Sequence, residues 1–221
     1  MLFHYIRYNH FLFYTHQLNV IQLLLTEGVI YMGKILCFIS DQFADFEVTL
    51  ALHKIRNVGK KDVIIVGYNC ELVVSESGIW YKPDLTLQEA MELDDVEGLI
   101  IPGGLIRDQK KELTELILKL DQEEKMLAAI CYGPQYLGRS GILNKCKFTT
   151  TCSIEKIKKL GVVDPFPWEN YVENRVVIDK NIITAKGRAF VDFSFAIFDY
   201  LDIYKGQYSE REKMFKDIMN R

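Results

Sequence analysis

From residue 33 onward, short unbroken apolar runs alternate with amphipathic stretches, and that alternation predicts strands and helices in turn. Lys34–Ile39 and Val63–Val66 read as strands, the second with the continuous β-branched character of a strand buried on both faces. Between them, Asp41 to Asn57 reads as a helix with Phe46, Leu50 and Ile55 among its apolar positions. Glu71–Val74 and Ile79–Lys82 flank Ser77-Gly78 in the pattern of a small hairpin. Gly98–Ile101 is the next apolar run and stops at Pro102-Gly103-Gly104, after which an amphipathic helix is predicted over Lys110–Leu120. Met126–Ile130 is a further strand, broken by Cys131-Tyr132-Gly133-Pro134, and helix resumes through Gln135–Ser140 until Gly141.

The rest of the chain keeps the rhythm. Phe148–Thr150 is expected as a short strand, and Ile154–Leu160 as a helix stopped by Gly161. Arg175–Ile178 and Ile182–Ala185 read as strands around the Asp179-Lys180-Asn181 turn, followed by a largely apolar helix over Phe190–Leu201. Ser209–Arg221 reads as a charged, solvated helix. Strands alternating with helices imply an α/β fold, with helices on both faces of a mostly parallel central sheet. We expect one domain over residues 32–204 and an appended C-terminal helix over 205–221.

The first 31 residues break the pattern. Aromatic, histidine and apolar residues mix there without a period, and the layout of a signal peptide is missing. At Met32 the character changes to the strand pattern of GKILCFIS, and Glu27-Gly28-Val29 is encodable by a purine-rich GAAGGAG stretch of the ribosome-binding kind. The expectation is that residues 1–31 are a mistranslated leader; the alternative is a real extension with a helix around Leu18–Leu25.

Composition narrows the classes. With 221 residues, 49% of them apolar, one large core is affordable, and a net charge of -3 offers nothing to nucleic-acid phosphates. No apolar run is long enough to span a membrane. Five cysteines without close pairing, Cys37, Cys70, Cys131, Cys146 and Cys152, point to a reducing, cytoplasmic setting rather than a disulfide scaffold. Four histidines, three of them within the first 16 residues, leave no case for a metal site, and no phosphate-binding or dinucleotide motif calls for a cofactor.

Candidate chemistry centres on Cys131. A strand, LAAI, runs into the cysteine and Gly133-Pro134 follows, the layout of a nucleophile elbow that exposes the side chain at a sharp strand-to-helix turn. The helix start is expected to lower the thiol pKa. Gly103 and Gly104 close the preceding strand, either as an ordinary turn or as N–H donors that complete an oxyanion hole with Tyr132. Glu47 is either a surface helix acid or a protonated carboxyl bonded to Cys131. His53, the one histidine after the leader, reads as packed or exposed rather than as a base. Cys152 and Cys146 are buried hydrophobes or resolving thiols; Arg188 and Lys186 are solvated charges or contacts for an anionic substrate.

Together these stretches resemble the ThiJ/PfpI superfamily, especially its Parkinson-disease-protein-like branch. The resemblance is carried by KILCFISDQFADFEVTLALHKIRNVGKKDVIIVG, GLIIPGG, KMLAAICYGPQYLGRSGIL, KFTTT, YVENRVVIDKNIITAKG and AFVDFSFAIFDYL, in that order. It implies a flavodoxin-like three-layer sandwich, shared with class I glutamine amidotransferases, and a homodimer. It also implies that Glu47 is the protonated acid, Cys131 the elbow nucleophile, and Gly104 and Tyr132 the oxyanion donors. Apart from the resemblance, Gly103 and Arg188 are candidates for lining a substrate pocket, and Cys152 is the candidate redox partner. The implied activities are glyoxalase or deglycase chemistry on small aldehydes or their protein adducts. The alternatives are a non-enzymatic oxidative-stress sensor or interaction module and, less well matched, a cysteine peptidase or amidase. Peptidase-like members carry histidine after the cysteine, where this chain has Tyr132. The Parkinson-like branch carries one after the threonine-rich strand, where this chain has Thr149-Thr150-Thr151-Cys152.

Overall fold

A computed structural model of the chain describes residues 33–106 and 108–219. The expected leader over residues 1–31 lies outside the described residues. The main sheet takes β1 (Lys34–Phe38), β2 (Asp62–Gly67), β5 (Leu85–Thr86), β6 (Val96–Ile101), β7 (Met126–Ile130), β8 (Val176–Asp179) and β9 (Ile182–Ala185). Their spatial order is β5-β2-β1-β6-β7-β9-β8, and every pair is parallel except β8 with β9. A separate two-stranded hairpin joins β3 (Val73–Val74) to β4 (Trp80–Tyr81) around Gly78.

Period-two alternation along the strands sends neighbouring residues into two cores, one on each side of the sheet. Leu36 and Phe38 of β1 pack with Leu113, Leu116, Ile117 and Leu120 of the helix Lys111–Gln122, which is α3. That layer also contains α2 (Leu87–Met91), α4 (Pro134–Arg139) and α5 (Ile154–Leu160). Ile35 and Cys37 face the other way, against Val48, Ala51 and Ile55 of α1 (Phe46–Asn57) and Phe193 and Ile197 of α6 (Phe190–Tyr200). The result is the three-layer, flavodoxin-like sandwich expected from the sequence. The charged helix α7 (Tyr208–Met219) buries none of its residues fully.

Three local expectations change. The first helix starts at Phe46, not at Asp41, because residues 41–45 are held as a turn against the hairpin. Gln42 has φ 59° and donates to the Val74 carbonyl at 2.6 Å, while Asp41 Oδ1 accepts the Val74 N–H at 3.1 Å. Phe148–Thr150 is not a strand: Phe148 makes one isolated bridge to Tyr171, and Thr149 gives its N–H to the Thr184 side chain at 2.9 Å. The β5–α2 corner is an addition, closed by a capping box between Thr86 and Glu89.

Candidate active site

Strand β7 delivers Cys131 to the carboxyl edge of the sheet, and the chain turns sharply at that residue. Cys131 has φ 62°, a left-handed backbone that costs a non-glycine residue about 1 kcal/mol or more. Surrounding bonds hold it there: its N–H reaches the Ala185 carbonyl at 2.8 Å, and its carbonyl accepts Thr150 Oγ1 at 2.7 Å and Thr151 N–H at 3.0 Å. Gly133 is forced by crowding, since a β carbon there would lie 2.5 Å from the Ile101 carbonyl and 2.8 Å from that of Pro102. Pro134 then opens α4, where its missing N–H costs nothing.

Glu47 enters from α1, across the sheet edge. It sits in the first turn of that helix and is only 2% exposed. Its Oε2 accepts the Gly103 N–H at 2.8 Å, and the carboxyl stands beside the Cys131 thiol. Two glycines make room for the pair. A β carbon on Gly103 would stand 2.6 Å from Glu47 Oε2 and 3.1 Å from the sulfur. One on Gly187 would stand 2.7 Å from Glu47 Oε1 and 3.0 Å from the sulfur.

Burial pushes the Glu47 carboxyl up to about 7, against the lowering effect of the Gly103 N–H and the Cys131 thiol; Glu76 adds to the rise. Burial, followed by the charge of Glu47, pushes the Cys131 thiol up to about 12. The Thr151 hydroxyl and the Tyr132 N–H, both bonded to the sulfur, pull the other way. The expected lowering of the thiol pKa by the helix start is therefore overturned, because desolvation and a neighbouring carboxylate outweigh it. The pair loses its first proton at about 7. In the one-proton state that follows, the remaining proton has two homes, sulfur or carboxylate. Only the second tautomer is a thiolate.

The sequence profile of the DJ-1/PfpI family matches residues 33–199. The chain belongs to the DJ-1/PfpI family. It is 27% identical over 158 residues to the deglycase TK1284 of Thermococcus kodakarensis, covering 69% of this chain and 89% of that protein. The deglycase PfpI of Pyrococcus furiosus is 27% identical over 157 residues, with the same two coverages. Among solved structures, the DJ-1 superfamily protein Atu0886 of Agrobacterium tumefaciens superposes with a TM-score of 0.70 at 24% identity. That alignment covers 84% of this chain and 98% of that one.

Within this DJ-1/PfpI fold, the residues singled out in the sequence are only partly brought together. Cys131, Glu47, Gly103 and the Tyr132 N–H converge. The Gly103 N–H is committed to Glu47, so it is not free for the oxyanion role weighed for it in the sequence. Gly104 has φ 130° and is pressed against Gln42, where a β carbon would meet a carbonyl at 2.5 Å. Arg188 is exposed, and its carbonyl accepts a bond from Arg175. Lys186 is ion-paired with Glu173. Cys152 is buried with its thiol on the Ser153 carbonyl at 3.9 Å, and all five cysteines are free. His53 is exposed on α1. No cluster of three metal-binding side chains occurs among the described residues.

Two members of the site were missed in the sequence, Gly187 and Thr151. Each follows a strand-like run, after Ile182–Ala185 and after Phe148–Thr150, but nothing in local spacing says that both fold back onto the cysteine. A cleft of about 1010 Å³ also opens at the carboxyl ends of β1 and β2, lined by Ser40, Tyr68, Lys110 and Arg139 among others; Cys131 is not part of it.

Proposed function

We propose that the chain is a cysteine enzyme of the glyoxalase or deglycase type, acting on small reactive aldehydes or their protein adducts through Cys131 and Glu47. The observation that carries this reading is the enclosure of the buried Glu47 carboxyl and the Cys131 sulfur by the same two glycines, with burial pushing that carboxyl up to about 7. A carboxyl poised near neutrality can hold the proton that a thiol must give up before it attacks. The deglycase names of the relatives from Thermococcus and Pyrococcus point the same way.

In the reacting tautomer Glu47 carries the proton and Cys131 is the thiolate. Sulfur adds to the aldehyde carbon, the C=O electron pair moves onto oxygen, and that oxygen takes the proton from Glu47. A neutral hemithioacetal and an ionised Glu47 result. As charge leaves the sulfur for the oxygen, the Gly104 and Tyr132 N–H groups serve in this reading as its donors, the role that the family resemblance implies for them. An aldehyde needs no protonated leaving group, so this chemistry proceeds without the histidine that amide hydrolysis uses. A homodimer in the cytoplasm completes the proposal; none of the described helices is long and apolar enough to cross a membrane.

The test is methylglyoxal consumption by the full chain beside its Cys131→Ala variant. Repeated turnover that vanishes with the cysteine supports the enzyme. Consumption limited to one equivalent, or none, transfers the weight to a redox-responsive or interaction module built on the same thiol.

A further inference from the structure

The run Thr149-Thr150-Thr151 places three hydroxyls beside the elbow, and the structure gives them different work. Thr149 is buried and donates to the Asn174 carbonyl at 2.9 Å. Thr150 is buried and donates to the Cys131 carbonyl at 2.7 Å. Thr151 is exposed, and its hydroxyl oxygen accepts the Gly187 N–H at 2.8 Å. Its own N–H is tied to the Cys131 carbonyl at 3.0 Å, so backbone and side chain are both fixed relative to the cysteine. A hydroxyl has one hydrogen. The oxygen is engaged by Gly187, whose own β-carbon position lies 3.0 Å from the sulfur, so the hydroxyl is held on the sulfur's side of the turn with its hydrogen still to place, and the Thr151 side chain acts to lower the Cys131 thiol pKa.

We propose that Thr151 is a positioning residue for the Cys131 thiolate, its hydroxyl anchored by the Gly187 N–H and donating to the sulfur. The inference rests on the reading of Cys131 as a nucleophile given above. It assigns the sulfur a donor that does not titrate in the working range of pH. An alcohol strengthens the thiolate by a hydrogen bond to a charged acceptor, yet neither removes nor returns a proton. Proton traffic is thereby left to Glu47. The other titratable groups facing the pair are Glu76, which acts on Glu47 through space, and Tyr132, whose phenol is itself raised by burial and by the cysteines beside it. A single ionisation, at about 7, is expected to govern thiol reactivity below the alkaline range.

The experiment follows alkylation of Cys131 by iodoacetamide in the full chain, read at the Cys131 peptide by mass spectrometry from pH 5 to 9. Wild type, Thr151→Ser and Thr151→Val are compared after each is shown to be folded. Where valine prevents folding, Thr151→Ala takes its place. The expected result is a plateau rate about tenfold lower in the valine or alanine variant, the range for losing one hydrogen bond to a charged group. The serine variant should stay within about twofold of wild type, since it keeps the hydroxyl. All profiles should keep one rise. Valine and alanine variants that alkylate like wild type would overturn the proposal, as would a serine variant as slow as valine, which would make the role one of shape. Because aldehyde turnover is not the readout, failure of the proposed enzyme activity and failure of this assignment are separable.

Discussion

The Glu47 carboxylate and the Cys131 sulfur are kept in contact by the absence of side chains on two glycines from different loops. The carboxylate lies 2.6 Å, and the sulfur 3.1 Å, from the place a β carbon on Gly103 would take. The same two groups lie 2.7 Å and 3.0 Å from a β carbon on Gly187. The acid–thiol pair therefore depends on backbone approach as much as on the identity of its two members.

A methyl group at either glycine should split the pair. Gly103→Ala meets the Cys131 β carbon at 2.6 Å as well as the carboxylate, so something must move. Overpacking of this kind costs about 1–3 kcal/mol. The expected outcome in denaturant unfolding is a lower midpoint with an unchanged slope, together with loss of the pH-dependent rise in Cys131 alkylation.

Glu47→Gln should move thiol reactivity to alkaline pH. In the wild type the first proton leaves the pair at about 7, and alkylation should rise through that value. Glutamine cannot take the thiol proton, so the thiolate must form by ordinary ionisation of a buried cysteine. Peptide-resolved alkylation rates between pH 5 and 10 read the difference directly; an unshifted profile in the variant would remove Glu47 from the proton transfer.

The same substitution has a stability signature of the opposite sign. Glu47 is raised from 4.5 to about 7 on folding, so between those values the folded chain holds a proton that the unfolded chain has lost. Its contribution to stability is fully present below 4.5 and is lost as pH rises through about 7. At pH 8, Glu47→Gln should be the more stable protein, by up to about 3 kcal/mol, with the gap closing toward pH 5. Chemical denaturation at the two pH values measures it.

At position 131 the usual ranking of alanine above glycine should invert. The φ of 62° is tolerated by glycine and resisted by any residue with a β carbon. Cys131→Gly should exceed Cys131→Ala in unfolding free energy by about 1 kcal/mol, with both inactive toward aldehydes. Equal stability would show that the turn relaxes once the sulfur is gone.

Much of this was legible in the chain because the signals were local. Strand β7 coincides with the predicted Met126–Ile130, and Gly141 and Gly161 end their helices with φ 77° and 64°. The elbow was visible because Cys131 follows a strand and precedes Gly133-Pro134. What escaped depended on contacts distant in sequence. Residues 41–45 look helical by composition but are claimed by the hairpin: Asp45 accepts Ser77 Oγ at 2.7 Å and Tyr81 Oη at 3.2 Å. Phe148–Thr150 has strand composition, yet its polar groups are spent on side-chain bonds to Thr184, Asn174 and Cys131. The thiol pKa was misjudged for a related reason. The helix start is adjacent in sequence, whereas the burial that outweighs it and the Glu47 carboxylate that adds to it come from parts of the chain distant from Cys131.

The groups around the sulfur come from the start of α1, the turn after β6, the elbow after β7, the segment before α5 and the loop after β9, and this spread sets an order of events during synthesis. Gly187, which both encloses the pair and anchors Thr151, is the last to emerge from the ribosome. Until that loop is made and strand β9 is inserted beside β7, Cys131 has neither its backbone anchor on Ala185 nor its enclosing glycine, and a nascent chain carries an ordinary thiol. Coupling of the sulfur to the Glu47 carboxyl therefore exists only in chains that have finished folding around it.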